Sequence, residues 1–315
     1  MINNILDASR RIQPFIRNTP LIQSKGLSDL IGAQVHFKLE NLQITGSFKA
    51  RGALNKILSL SEKEKSTGVV SASTGNHGAA VAYAAEQVGI QCTIYVPEKS
   101  SSIKLGNMKQ FGANIEVHGK DCIDSETMAR QVSIKTGKTY VSPYNDTFVM
   151  AGQGTIGVEI ESQCDGLDAI IVSVGGGGLI AGTAIYLKSI WPTIHVIGCS
   201  PENSAVMIHS MKAGKILELE SKPTLSDGTA GGVEKESITF PICCDIIDET
   251  VLVTEDEIKR AMKIYMDKEH QLLEGAAGTA VATLLKKKDS LKNQRVGVVI
   301  CGGNISLDTV RDLLN

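Results

Sequence analysis

A chain of 315 residues, 42% hydrophobic and 21% charged, is long enough for about two globular domains with sizeable cores. Its formal net charge of -2 gives no electrostatic footing for nucleic acid or a membrane surface, and no apolar run reaches a membrane span. The first seven residues lack the basic-then-apolar order of a secretory signal, so the cytoplasm is the expected location.

Ile5, Ala8 and Ile12 recur at helical spacing, which predicts a short amphipathic helix over 4–13, stopped by Pro14. Asn18-Thr19-Pro20 reads as a turn, 28–31 as a short helix, and 34–40 alternates like a strand. In Ile44-Thr45-Gly46-Ser47-Phe48-Lys49-Ala50-Arg51-Gly52-Ala53, Gly46 permits a tight turn and Ser47 is a candidate helix cap. Ala50, Ala53, Leu54 and Ile57 then share one helical face. Lys49 falls in the first turn, where the helix dipole disfavours a cation and eases the path to the neutral amine that Schiff-base chemistry needs.

A regular alternation follows: strand 69–72, Ala-rich helix 78–87, strand 92–96, helix 103–111, strand 114–117 and helix 125–135. A second series has helix 154–161, buried strand 168–174, apolar helix 179–190 and strand 195–199. The stretch 214–250 is less periodic. Helix 255–270, capped by Thr254, helix 278–288 and buried strand 295–300 complete it. Strands alternating with helices in this way predict two α/β domains with parallel sheets, and a cleft between them lined by loops at strand C-termini.

Three strand ends carry chemistry. Gly175, Gly176, Gly177 and Gly178 follow a buried strand and precede a helix; four glycines let backbone N–H groups close on an anion, and the helix adds its positive end. This is neither a Walker A loop nor a spaced dinucleotide pattern, and it suits one phosphate. Ser73-Thr74-Gly75-Asn76-His77-Gly78 gathers hydroxyls, an amide and helix N–H groups that suit a carboxylate. Cys301-Gly302-Gly303-Asn304 places a thiol where it could meet a heteroaromatic nitrogen. The seven cysteines include no CxxC pair and read as reduced thiols in apolar surroundings; the six histidines show no metal-binding spacing. A lysine, a phosphate cradle and a carboxylate cradle together point to pyridoxal 5'-phosphate acting on an amino acid.

Ser47 to Ala53, Ser73 to Gly78, the tetraglycine and Cys301 to Asn304 occur in family order, as do Ala151-Gly152-Gln153-Gly154-Thr155 and Glu274-Gly275-Ala276-Ala277-Gly278. From about residue 5 to its end the chain resembles the serine/threonine dehydratase and serine racemase group of fold-type II pyridoxal phosphate enzymes. The resemblance implies a two-domain, tryptophan synthase beta-like α/β fold, each domain an open, mostly parallel sheet flanked by helices. Residues 44–136 would form a small domain, and 1–43 with 137–315 a large one.

The resemblance also implies roles. Lys49 would hold the cofactor as a Schiff base, and Phe48 would pack near its ring. Asn76 would bond the ring hydroxyl. Gly175, Gly176, Gly177, Gly178 and the Leu179 amide would take the phosphate. Cys301 would face the ring nitrogen and leave it largely unprotonated, which favours β-elimination. Ser73, Thr74, Asn76 and His77 would surround the substrate carboxylate. In racemases of the group a serine on the opposite cofactor face supplies a second acid/base; Thr74 takes that position here and is stiffer at χ1. Acidic metal ligands of the group are replaced by Ser200 and Val206, with Glu202 out of register, so no such metal site is expected. Residues 226–234 run longer than the racemase pattern and would shape the pocket for the β-substituent. The chain ends soon after Cys301, so a regulatory domain and isoleucine feedback are not expected.

The leading reading is a hydroxy-amino-acid ammonia-lyase, a homodimer acting on a small-molecule amino-acid substrate. Threonine, serine, 3-hydroxyaspartate and bulkier β-hydroxy amino acids remain open as substrates. Alternatives are an amino-acid racemase with side elimination, a non-enzymatic amino-acid-binding module and a β-replacement synthase.

Overall fold

A computed structural model describes residues 1–100 and 102–314. In chain order its elements are α1 (Ile2–Ile12), β1 (Leu21–Gln23), α2 (Lys25–Ile31), β2 (Gln34–Leu39), α3 (Lys49–Leu58), α4 (Glu62–Thr67), β3 (Val69–Ala72), α5 (Asn76–Val88), β4 (Cys92–Val96), α6 (Ser102–Gln110), β5 (Asn114–Val117), α7 (Cys122–Thr136) and β6 (Thr139–Tyr140). There follow α8 (Thr147–Gln163), β7 (Ala169–Ser173), α9 (Gly178–Ile190), β8 (His195–Pro201), α10 (Val206–Ala213), α11 (Thr239–Ile246), β9 (Glu249–Val253), α12 (Glu255–Glu269), α13 (Gly275–Lys286), β10 (Arg295–Ile300) and α14 (Leu307–Leu314).

The alternation resolves into two sheets. One has six strands in the order β1-β2-β10-β7-β8-β9, all parallel except the β1–β2 pair. The other has four parallel strands in the order β5-β4-β3-β6. Every residue of β7 is buried, as helix-covered parallel strands require. In register, Ile300 pairs with Leu39 and Ser173 with Cys199, so the chain leaves β10, β7 and β8 on the same side of the large sheet. Among the described residues no helix is long and apolar enough to cross a membrane.

Among the described residues, side-chain caps start five of the helices. Thr254 caps α12 in a box with Glu257, and Asp146 caps α8 by accepting from the Phe148 and Val149 N–H groups. That cap starts α8 at Thr147, well before the expected 154. The aperiodic stretch 214–250 holds α11 and a single 3-10 turn, Asp227–Thr229, and runs into β9. Gly46 turns with φ +72°, as expected. Ser47 does not cap α3: Phe48 is the N-cap residue, and the Ser47 hydroxyl is buried with no hydrogen-bond partner. Ser47 is drawn instead into a β-bridge with Gly302, which ties the start of α3 to the end of β10. Four cysteines are buried, whereas Cys122 and Cys244 lie exposed, outside the apolar surroundings expected for them.

A buried charge cluster lies behind α3. Arg51, fully buried, donates from Nε and Nη2 to Glu40 at 2.8 Å each, and from Nη1 and Nη2 to Glu159 at 2.7 and 2.8 Å. Lys38 donates to the same Glu159 at 2.6 Å. Burial pulls the Lys38 ammonium below its ordinary value, against the charges of Glu159 and Glu40. Burial pushes Glu159 up, but Arg51 and Lys38 more than offset it and hold the carboxyl below its ordinary value. The cluster joins β2, α3 and α8, so it fixes the helix that begins with Lys49.

Candidate active site

Lys49 is the first residue of α3 and is half-buried. Its Nζ donates to the Pro143 carbonyl at 2.8 Å and stands 5.2 Å from the centroid of the Phe48 ring. Burial pulls its pKa down to about 8, with Cys301 and Glu274 pulling the other way. Desolvation therefore leads here, where the sequence pointed to the helix dipole.

From Pro143 the site runs to the glycines. A Cβ on Gly176 would lie 2.4 Å from the Tyr144 ring, and one on Gly178 would lie 3.0 Å from the Tyr144 Cβ. A Cβ on Gly175 would lie 2.9 Å from the Thr229 carbonyl oxygen, and one on Gly177 would lie 2.7 Å from the Cys243 sulfur. Gly177 also has φ +84°. The glycines are thus required by close approach on both sides, from Tyr144 and from 226–234. Thr239 Oγ1 donates to the Gly176 carbonyl at 2.6 Å and backs the loop. Gly178 and Leu179 open α9, whose first-turn N–H groups have no acceptor within the helix.

The third side is built on Glu274, the N-cap residue of α13 and only 4% exposed. Asn76 Nδ2 donates to its two oxygens at 3.0 and 2.8 Å, and the Cys301 thiol lies 3.8 Å from Oε1. Asn304 Nδ2 donates to Asn76 Oδ1 at 2.7 Å. Burial pushes the Glu274 carboxyl up to about 7, Asn76 opposing and the Asp227 charge adding. Burial and the Glu274 charge push the Cys301 thiol well above its ordinary value, so it stays uncharged. Phe48 N–H donates to the Cys301 carbonyl at 3.0 Å, which closes the ring of groups back to Lys49.

The serine-threonine segment enters at the start of α5. Ser73 Oγ accepts from the Gly75 N–H at 3.1 Å, and Thr74 is half-buried beside it. His77 is buried with Nε2 donating to the Val141 carbonyl at 2.9 Å; burial and the Lys49 charge hold its pKa down to about 3. The structure thus brings Lys49, Phe48, Asn76, Cys301 and the glycine loop to one place and engages the His77 ring in the wall. Sequence reasoning passed over Tyr144, which stands between the lysine and the loop. Its one signal is its position just before the Asp146 cap.

Glu274 yields a pH test on the cofactor-free protein. A carboxyl whose pKa is raised by folding stabilises below its unfolded value and loses that stability as pH rises through the folded one. Between pH 4.5 and 7 the protein is expected to lose about 3 kcal/mol of unfolding free energy relative to Glu274→Gln. Urea titrations of both proteins across that window measure it; parallel curves would contradict the assignment.

Two mostly parallel sheets, with an amine, an anion cradle and an uncharged thiol gathered at their strand ends, define a cofactor-dependent α/β enzyme. The sequence profile of pyridoxal-phosphate dependent enzymes matches residues 12–302, and the chain belongs to that family. It is 40% identical to the L-threonine ammonia-lyase of Thermotoga maritima over 315 residues, covering 100% of this chain and 78% of that one. It is 41% identical to the catabolic L-threonine dehydratase of Staphylococcus aureus, covering 99% of this chain and 91% of that one. The solved structure of maize serine racemase superposes with a TM-score of 0.94 at 33% identity, covering 99% of this chain and 96% of that one. The site fits pyridoxal phosphate on its own terms: it offers an amine of lowered pKa, a cradle that any Cβ would fill, and an uncharged thiol.

Proposed function

We propose that the protein is a pyridoxal phosphate-dependent ammonia-lyase that converts a β-hydroxy amino acid, threonine or serine first, to a 2-oxo acid and ammonia. The observation that carries this is the placing of a low-pKa lysine within one ring of groups that also holds the glycine cradle and an uncharged Cys301. The threonine-specific names of the two relatives support it. When bound, pyridoxal phosphate supplies an electron sink that weakens bonds at the substrate α-carbon.

The protein's own part follows. The amides from Gly175 to Leu179 would bind the phosphate, Phe48 would pack beside the ring, and Asn76 would present to the ring hydroxyl a carboxamide already held by Glu274 and Asn304. Cys301 would offer an uncharged thiol to the ring nitrogen. Ser73, Thr74, Asn76 and His77 surround the substrate carboxylate; His77 contributes through its backbone, its ring being occupied. Lys49, neutral, takes the α-proton. The β-hydroxyl departs as water, and a water is taken up when ammonia is released, so the net products are one 2-oxo acid and one ammonia. Residues 44–136, together with β6, which pairs with β3 in the same sheet, move as a small domain over the substrate. The same reading includes a homodimer in the cytoplasm, without nucleic acid or membrane partners.

Only a neutral amine attaches the cofactor. With a pKa of about 8, Lys49 at pH 7 is neutral about 300 times more often than an ordinary lysine. Reconstitution of cofactor-free protein, followed by absorbance, is expected to accelerate with pH to a midpoint near this value. A midpoint above pH 10 would contradict it.

The function is tested by 2-oxo acid and ammonia release from L- and D-serine, L-threonine, L-threo-3-hydroxyaspartate and 3-phenylserine, with chiral analysis of the remaining substrate. Turnover of L-threonine or L-serine with unchanged chirality supports the lyase. Enantiomer appearing faster than oxo acid makes the protein a racemase, and Thr74→Ala should then abolish that activity.

A further inference from the structure

One ion pair joins α7 to the 226–234 segment. Arg130 lies on α7, which packs on β3 and β4 of the four-stranded sheet. Glu234 ends the 226–234 segment, whose Thr229 lies against Gly175. Arg130 Nη2 and a Glu234 carboxylate oxygen stand 3.0 Å apart. Arg130 is held on its own side by Glu126 at 2.8 Å and by the Tyr140 ring, 4.3 Å from the guanidinium carbon. Asn145 Nδ2 donates to Glu234 Oε2 at 2.9 Å, and the Glu234 N–H donates to the Tyr144 hydroxyl at 2.8 Å. Tyr144 lies against Gly176, next to the Pro143 carbonyl that holds Lys49.

We propose that the Arg130–Glu234 pair is a latch that holds the 226–234 segment and Tyr144 against the glycine loop, so that both are positioning residues for substrate binding. The proposal rests on the ammonia-lyase reading for its kinetic arm. The side chains are 40% and 27% exposed, and a pair this exposed shifts an equilibrium by about fivefold. That is too little to decide whether the chain folds. It is enough to decide whether a loop is ordered before substrate arrives. Order missing beforehand must be drawn from substrate binding, so its loss appears in KM and leaves kcat in place. The pair is also screened by salt, which a packing contact is not.

The test uses Arg130→Met, Glu234→Gln and the double variant. Steady-state kinetics of the holoenzymes are read at low and high salt with the substrate that the panel identifies. Trypsin nicking of the substrate-free holoenzymes after exposed Lys235, at the end of the segment, is the second readout. Each single variant is expected to raise KM about fivefold with kcat unchanged, and to speed nicking about fivefold. The double variant should be no worse than either single, and the salt dependence of KM should vanish in all three. Unchanged KM with unchanged nicking overturns the latch. So do losses that fall on kcat, add in the double variant and keep the wild-type salt dependence, which mark a merely structural pair. If the wild type turns over nothing in the panel, the ammonia-lyase reading fails while nicking still decides the latch.

Discussion

Lys49→Ala is expected to lower ammonia release by about 10⁴-fold, because the variant loses both the covalent attachment and the base that takes the α-proton. The fold should survive. Among the described residues Lys49 makes a single hydrogen bond, to the Pro143 carbonyl, and its amine is desolvated rather than ion-paired. Removing it breaks no ion pair among the described residues, and the nearby Glu274 can take up a proton, since burial already pushes its pKa up to about 7. The glycine loop is packed by Tyr144, Thr229 and Cys243 and does not depend on the lysine. The variant should accordingly retain cofactor without the absorbance of the covalent form. Turnover within tenfold of wild type would show that another group performs both tasks.

Arg51→Met should have the largest effect on stability, about 3–5 kcal/mol by urea unfolding. The guanidinium satisfies Glu40 and Glu159 and also donates to Thr155 at 3.1 Å and Thr19 at 3.2 Å. Without it the buried Glu40 and the largely covered Glu159 face one remaining cation among the described residues, Lys38. Single domains are commonly stable by about 5–15 kcal/mol, so the loss is a large share of the whole. Lys38→Met should cost less, since Arg51 alone still reaches both carboxylates. A loss below about 1 kcal/mol for Arg51→Met would mean that water or rearrangement compensates the cluster.

Much of this was legible in the sequence because it is local. Val69 to Ala72, Ala169 to Ser173 and Arg295 to Ile300 are short apolar runs between turn signals, and such runs become buried parallel strands. Gly175 to Gly178 announced themselves by composition, and Lys49 by its place after a turn. What was not legible depends on approach through space. Ser47 looked like a cap until Gly302 drew it into a bridge. Lys38 looked like the polar member of an alternating strand, and only Glu159, far along the chain, explains its burial. Tyr144 carries no motif, and its part follows from the missing side chain of Gly176. Glu274 belonged to a recognisable segment, but its bonds to Asn76 join residues 198 positions apart.

The most direct test of the account is to reduce the holoenzyme with borohydride, digest it and locate the cofactor-derived mass by peptide sequencing. The account predicts a single modified lysine, Lys49, in the peptide that contains Phe48 and Ala50. Modification of a different lysine, or none in protein that retains the cofactor and releases ammonia, would contradict the site.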